Sequence, residues 1–183
     1  MSGMAIDKWL PQYQVSATYS LLVHATAEKT YAALSHARFS DLAIVRVLMK
    51  LRGYRLGRTP TPGSQVREAG RGLFLELVAV PPWEVVVGVV GRFWRPDGGV
   101  VRGLTPSEFA DFHSEGYAKA VWSFSLAPAG TGTQLSTETR VRTFGRSATL
   151  KFRAYWFLVG PFSGLIRKAM LREVRQMAEQ HTA

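Results

Sequence analysis

Two places in this chain have residue types suited to acid–base chemistry. His113 lies two residues from Glu115 in a short polar stretch, and Glu76 interrupts an apolar run. Proton transfer of the kind a cyclase or dehydratase performs needs a group that titrates near neutrality, or a carboxylate whose surroundings raise its pKa. His113 and Glu76 are therefore the weak catalytic candidates, and the more ordinary fate of a loop His–Glu pair is solvation. The four histidines, His24, His36, His113 and His181, occur singly and without ligand spacing, so no metal is expected. The absence of cysteine removes thiolate catalysis, cysteine metal sites and disulfides, and is compatible with a reducing cytoplasm. No serine has a nucleophile-elbow context and no glycine-rich phosphate loop precedes a helix. The expectation is a protein with no catalytic residues and no cofactor.

A length of 183 residues with 46% hydrophobic content is enough for one sizeable core, so residues 1–183 are read as a single domain with an N-terminal arm over 1–15. Asp7 and Lys8 break the region where a secretory signal would need an apolar run. The longest apolar run, Ala154 to Ile166, contains Gly160-Pro161 and is too short to span a bilayer. A soluble, cytoplasmic protein is expected. The net charge of +10, with 17 Arg against 6 Lys, admits nucleic acid, an anionic membrane surface or an acidic partner. The basic residues are scattered and accompany no nucleic-acid motif, so nucleic acid is disfavoured. The densest group, Arg46, Lys50, Arg52, Arg55 and Arg58, is the candidate for an anionic membrane surface. A solvated basic face is its plainer reading.

The elements follow from periodicity. Ala17 to Ala25 alternates as a first strand, and Thr26 is placed to cap a helix from Ala27 to about Ser35. A second helix runs from Ser40 until Gly53 ends it. Tyr54 to Gly72 is a long loop with a short strand near Ser64 to Glu68. Strands are predicted at Leu73 to Val80 and Trp83 to Trp94 across Pro81-Pro82, then at Val100 to Leu104 after an Asp97-Gly98-Gly99 turn. Thr105, Pro106 and Glu108 have the spacing of a capping box opening a short helical turn. Tyr117 to Ala127 and Thr133 to Thr143 form a last hairpin, and one amphipathic helix spans about Arg146 to Gln180. Pro161 is expected to kink or restart it.

This order, with the phrases "VHATAEKTYAAL" at 23–34, "GRFWRP" at 91–96, "STETRV" at 136–141 and "YWFLVGPFSGLIRKAML" at 155–171, resembles the START-like or SRPBCC superfamily, in particular bacterial members of no assigned function. The resemblance runs from about Ser16 onward. It implies an α+β helix-grip fold, a curved antiparallel sheet wrapped around a long C-terminal helix with two short helices after strand one. It also implies an apolar cavity able to hold a lipid, sterol, polyketide or similar molecule. No family catalytic motif is carried over to any residue here.

Strand parity selects the cavity residues without the family. If Leu126 pairs with Leu135, then Ala120, Trp122, Phe124 and Leu126 share a face with Leu135, Thr137, Thr139 and Val141. Lys119, Ser123, Ser125, Ser136, Glu138, Arg140 and Arg142 take the other face, broken only by Val121, and Glu138 with Arg140 is expected to be a solvent-exposed pair. In the earlier hairpin a three-residue connection over Pro81, Pro82 and Trp83 groups Leu73, Leu75 and Leu77 with Val85, Val87, Val89 and Phe93. Glu76, Glu84 and Arg92 then lie outside, which avoids an unpaired buried carboxylate. A two-residue connection would instead place Glu76 among the valines as a polar ligand contact. Phe152, Trp156, Val159, Ile166, Met170, Val174 and Met177 form the terminal helix's apolar stripe, with Lys151, Arg167, Lys168, Arg172 and Arg175 largely off it. The predicted ligand-binding set is Trp122, Phe124, Thr137, Thr139, Tyr155, Trp156, Val87, Val89 and Phe93. The predicted function is binding of a hydrophobic small molecule. A cyclase-like enzyme is the alternative, and a membrane-surface or nucleic-acid adaptor the second alternative.

Overall fold

The computed structural model describes residues 5–37 and 74–180. The expected second helix, the loop and short strand after it, Leu73 and the basic cluster from Arg46 to Arg58 lie outside them. In chain order the elements are α1 (Ala5–Trp9), β1 (Val15–Val23), α2 (Ala27–His36), β2 (Leu75–Val80), β3 (Glu84–Gly91), α3 (Pro106–Asp111), β4 (Ala118–Ala129), β5 (Gly132–Thr143) and α4 (Arg146–Gln180). Among the described residues the strands form one antiparallel sheet in the order β1-β5-β4-β3-β2. With the long C-terminal helix against one face, this is the helix-grip architecture.

Local chemistry accounts for the helix ends. Thr26 caps α2 by accepting from the Lys29 amide, which satisfies one of the donors a first turn leaves open. Thr105 and Glu108 make the reciprocal capping box that opens α3. Predicted and observed boundaries differ most at Val100 to Leu104. There Val101 makes only an isolated bridge to Val90 instead of a strand. The helix α4 also departs from expectation, since it runs unbroken through Pro161. Proline removes one amide donor from such a ladder. The neighbouring Phe157 and Leu158 are exposed, so water can reach this stretch.

The last hairpin has the expected register, with Leu126 opposite Leu135, Phe124 opposite Thr137 and Trp122 opposite Thr139. The first hairpin has the three-residue connection, with Val80 opposite Glu84 across a cis Pro81-Pro82 bond. Its parity is then undone by a bulge at Leu77. Val78 pairs with Val86, but Glu76 pairs with Val87. A bulge opposes two residues to one and shifts everything beyond it by one position. Glu76 is therefore on the face predicted for the shorter connection, and Leu75 and Leu77 are on the opposite one.

Both faces of the sheet are covered. On the inner face, which is the one toward α4, Val23, Phe124, Leu126 and Leu135 pack with Leu34 of α2 and with Met170, Leu171 and Val174. A separate cluster joins Phe152 to Ala118 and Val141, with Phe93, Tyr155 and Trp156 against it. On the outer face Ile6 and Leu10 at the N-terminus and Phe109 of α3 pack on Leu77, Val86, Val90 and Val121. Gly88 makes this possible, because a Cβ there would lie 2.7 Å from the Phe109 ring and 2.9 Å from Leu77.

The covered outer face overturns the expectation of a solvated polar surface. Lys119, Ser123, Glu138 and Arg140 are all buried. Arg140 donates from Nε to Glu138 at 2.6 Å and pairs through Nη1 with Asp7 of α1 at 2.7 Å, and its guanidinium lies over the Tyr13 ring. Burial disfavours the charge of Arg140, but its bonds to Glu138 and Asp7 outweigh that and hold its pKa above the ordinary value. The pair fastens the N-terminal arm to the sheet. Lys119 donates to the carbonyls of Ala110 and Phe112 and lies 4.8 Å from the Phe109 ring centre. Burial, with Arg142 nearby, lowers its pKa to about 8.

Candidate functional site

The inner face reads as rows of residues running across the sheet. One row is Tyr19, Thr137, Phe124, Val85 and Ala79, and the next is Ala17, Thr139, Trp122, Val87 and Glu76. A third runs Val15, Val141, Ala120 and Val89. The sequence dictates them, because alternation puts every second residue of each strand on one side. The third row meets Phe152 near the start of α4, and the Leu126–Leu135 end of the sheet meets Met170, Leu171 and Val174. The helix is thus seated by two separate apolar clusters, one toward each end. The row centred on Trp122 adjoins the second of them, and Trp122 itself packs against it.

Trp122 organises this middle region. Its ring is half-buried, with the Phe124 ring centre at 5.1 Å and the Phe74 ring centre at 6.1 Å. Its indole Nε1 donates to Thr137 Oγ1 at 2.6 Å, and Thr137 in turn donates to the Ser123 carbonyl at 2.9 Å. That chain satisfies the polar edge of a ring whose apolar body faces inward. Beside it, the buried hydroxyl of Thr139 has no hydrogen-bond partner among the described residues.

Arg167 joins this site from the helix. Its Cζ lies 4.8 Å from the Trp122 ring centre. As a whole the residue is only half-buried, yet its Nε and Nη1 are buried and without a hydrogen-bond partner among the described residues. Desolvation lowers its pKa to about 10, with Tyr19 acting weakly in the opposite sense, so it stays charged at neutral pH. Its expected place off the apolar stripe is corrected. Arg167 precedes Met170 by three residues and Val174 by seven, which sets it at the stripe's edge.

The predicted ligand-binding residues do not all fall together. Trp122, Phe124, Thr137, Thr139 and Val87 lie in the two middle rows, all buried except the half-buried Trp122. Val89, half-buried, belongs to the third row. Tyr155, Trp156 and Phe93 gather around Phe152, with Trp156 stacked on it at 5.7 Å and Phe93 edge-on at 6.5 Å. The two catalytic candidates part company. His113 is exposed in the connection from α3 to β4, beside the outer-face elements, with its ring directed to the Asp111 carbonyl. Glu76 is half-buried on the inner face. Sequence reasoning missed Tyr19, Phe74 and Arg167 as members of the inner surface.

Among the described residues no cluster of three or more His, Cys, Asp or Glu could hold a metal ion. Within the same limits, no helix is long and apolar enough to cross a membrane.

No family model and no curated protein matches this sequence. Several solved structures resemble it in overall arrangement. A conserved protein from Geobacillus kaustophilus aligns at 14% identity with a TM-score of 0.46, covering 91% of this chain and 96% of that one. The di-domain ARO/CYC StfQ from the steffimycin biosynthetic pathway aligns at 15% identity and a TM-score of 0.38, over 92% of this chain and 52% of its own. Ara h 8.0201 aligns at 9% identity and a TM-score of 0.29, over 91% and 98%. The helix-grip assignment rests on strand order, register and the seat of α4.

Proposed function

We propose that the protein binds a hydrophobic small molecule, of the size and character of a lipid, sterol or polyketide, between the inner face of its sheet and α4, and holds it without transforming it. The observation that carries this reading is the middle of the inner face. Aromatic and valine side chains converge there at the margin of the Leu126–Leu135 cluster, with the Thr139 hydroxyl and two Arg167 nitrogens buried and unmatched. An apolar surface with a few convergent polar groups is the usual make-up of a small-molecule site. A region serving only as core would have its polar atoms paired or replaced by carbon.

The test is uptake of an apolar fluorescent probe by the wild type and by Trp122→Ala. Weakening in the folded variant, with Glu138→Gln unchanged on the other face, supports the reading. Undiminished binding by both contradicts it.

One observation favours a second reading, that of an acid–base enzyme of the cyclase or dehydratase kind. The bulge at Leu77 sets Glu76 on the same face as Trp122, where a carboxylate could act on a bound substrate. His113 is exposed in the connection before β4. Turnover of a polyketide-like or lipid substrate that is abolished by Glu76→Gln and spared by His113→Ala would favour this reading over simple binding.

A further inference from the structure

Arg167 is the group on the inner surface that an apolar ligand alone would not explain. The guanidinium is planar and always charged near neutrality, with N–H donors that all lie in its plane. The Trp122 ring centre lies 4.8 Å from its Cζ. Nε and Nη1 sit on different edges of the group, and both are buried without an acceptor among the described residues. Thr139, whose unpartnered hydroxyl is buried on the same row as Trp122, adds a second unmatched polar atom. The carboxylate on this row, Glu76, is half-buried at its far end, beyond Val87. The Thr137 hydroxyl is engaged with Trp122 and Ser123, and Tyr19 has the Lys168 ammonium 5.5 Å from its ring centre. A buried cation is tolerated when an acceptor of opposite charge completes it.

We infer that the ligand is an amphiphilic oxyanion, an apolar molecule bearing a carboxylate, whose charged oxygens are received by one unmatched donor of Arg167 and by the Thr139 hydroxyl while its apolar body lies along Trp122, Phe124 and Val87. This rests on the proposed reading of the inner face as a binding site and narrows it to a chemical class. Guanidinium recognises carboxylate more specifically than ammonium does, because its donors are fixed in direction. Arg167 is accordingly a specificity-determining residue. Neutral sterols and hydrocarbons of the same size are poor ligands.

The experiment uses two probes built on one aromatic skeleton, the anionic anilinonaphthalene sulfonate and the neutral N-phenylnaphthylamine, titrated into the full chain by fluorescence. The sulfonate stands in for the carboxylate as an oxyanion. Wild-type protein is expected to bind the anionic probe at least about tenfold more tightly than the neutral one, the size of effect one charge-assisted hydrogen bond away from water provides. Arg167→Met, which keeps the apolar stem, is expected to abolish that preference, and Arg167→Lys to keep part of it. Equal preference in wild type and Arg167→Met, or an equal loss of both probes, overturns the inference and leaves the binding reading standing. Failure of the wild type to bind either probe overturns both. Should Arg167→Met not fold, the comparison is made on wild type with a long-chain fatty acid and its methyl ester as competitors. Equal displacement by acid and ester then overturns the inference.

Discussion

Replacing Phe109 with alanine should unfasten the outer face of the sheet and leave the inner face able to bind. Phe109 is completely buried at the centre of a cluster made by Ile6, Leu10, Leu77, Val86, Val90 and Val121. Its ring approaches the sheet over Gly88, has Trp9 edge-on with ring centres 6.4 Å apart, and carries the Lys119 ammonium 4.8 Å from its own centre. Truncating a buried phenylalanine costs about 3–5 kcal/mol through lost burial and the space left behind. Loss of the cation–π contact adds about 0.5–2 kcal/mol. A total near 5 kcal/mol is expected, a large part of the roughly 5–15 kcal/mol that holds a domain together. Urea unfolding followed by circular dichroism measures it, with the denaturant slope checked for constancy. Probe affinity, measured well below the transition, should stay within about twofold because the sheet separates the two sites. A loss below about 1 kcal/mol would refute the outer face as a second core. An unchanged stability curve with collapsed probe binding would refute the separation of the faces.

Further outcomes follow from the same packing. Glu138→Gln should cost about 2 kcal/mol by weakening the buried partner of Arg140, measured by the same unfolding curves. Lys119 has a folded-state pKa near 8 against about 10.4 when unfolded. The unfolded chain therefore binds more protons between those values, and stability should rise as pH increases from about 8 to 10.4 and be flat in this respect below 8. The gain is on the order of 3 kcal/mol at most, and Lys119→Met should remove that part of the pH dependence. Gly164→Ala should destabilise by about 1–3 kcal/mol despite alanine's better helix propensity, since a Cβ there would land on the Tyr19 hydroxyl. Tyr19→Phe in the same chain should recover much of the loss.

How far the sequence discloses these features differs from one element to another. The last hairpin is legible because Leu126 and Leu135 bracket a short turn, and alternation then carries the register to Trp122 and Thr139. Glu138 and Arg140 were misplaced because a polar strand face is ordinarily a wet one. The signals against that were Val121 among the polar residues and the unalternating run Val85-Val86-Val87, since apolar residues on both parities mean burial on both faces. Ile6, Trp9 and Leu10, at helical spacing in the N-terminal arm, supply the cover. The bulge at Leu77 has no mark in the sequence, because nothing in the residue types around Glu76 distinguishes a regular pairing from one displaced by a residue. Arg167 was legible in principle from its spacing to Val174, but its charge argued for solvent. A long stem can pass along an apolar wall to place its head inside as readily as outside.

The central claim, that the inner face holds an apolar small molecule, is tested most directly by native mass spectrometry of freshly purified full-length protein, followed by solvent extraction of whatever it retains. The account predicts a mass above that of the bare chain, lost on denaturation and recovered in the extract as an apolar compound bearing an acid group. Protein that shows only its bare mass, and that gains none after incubation with long-chain acids, would contradict it.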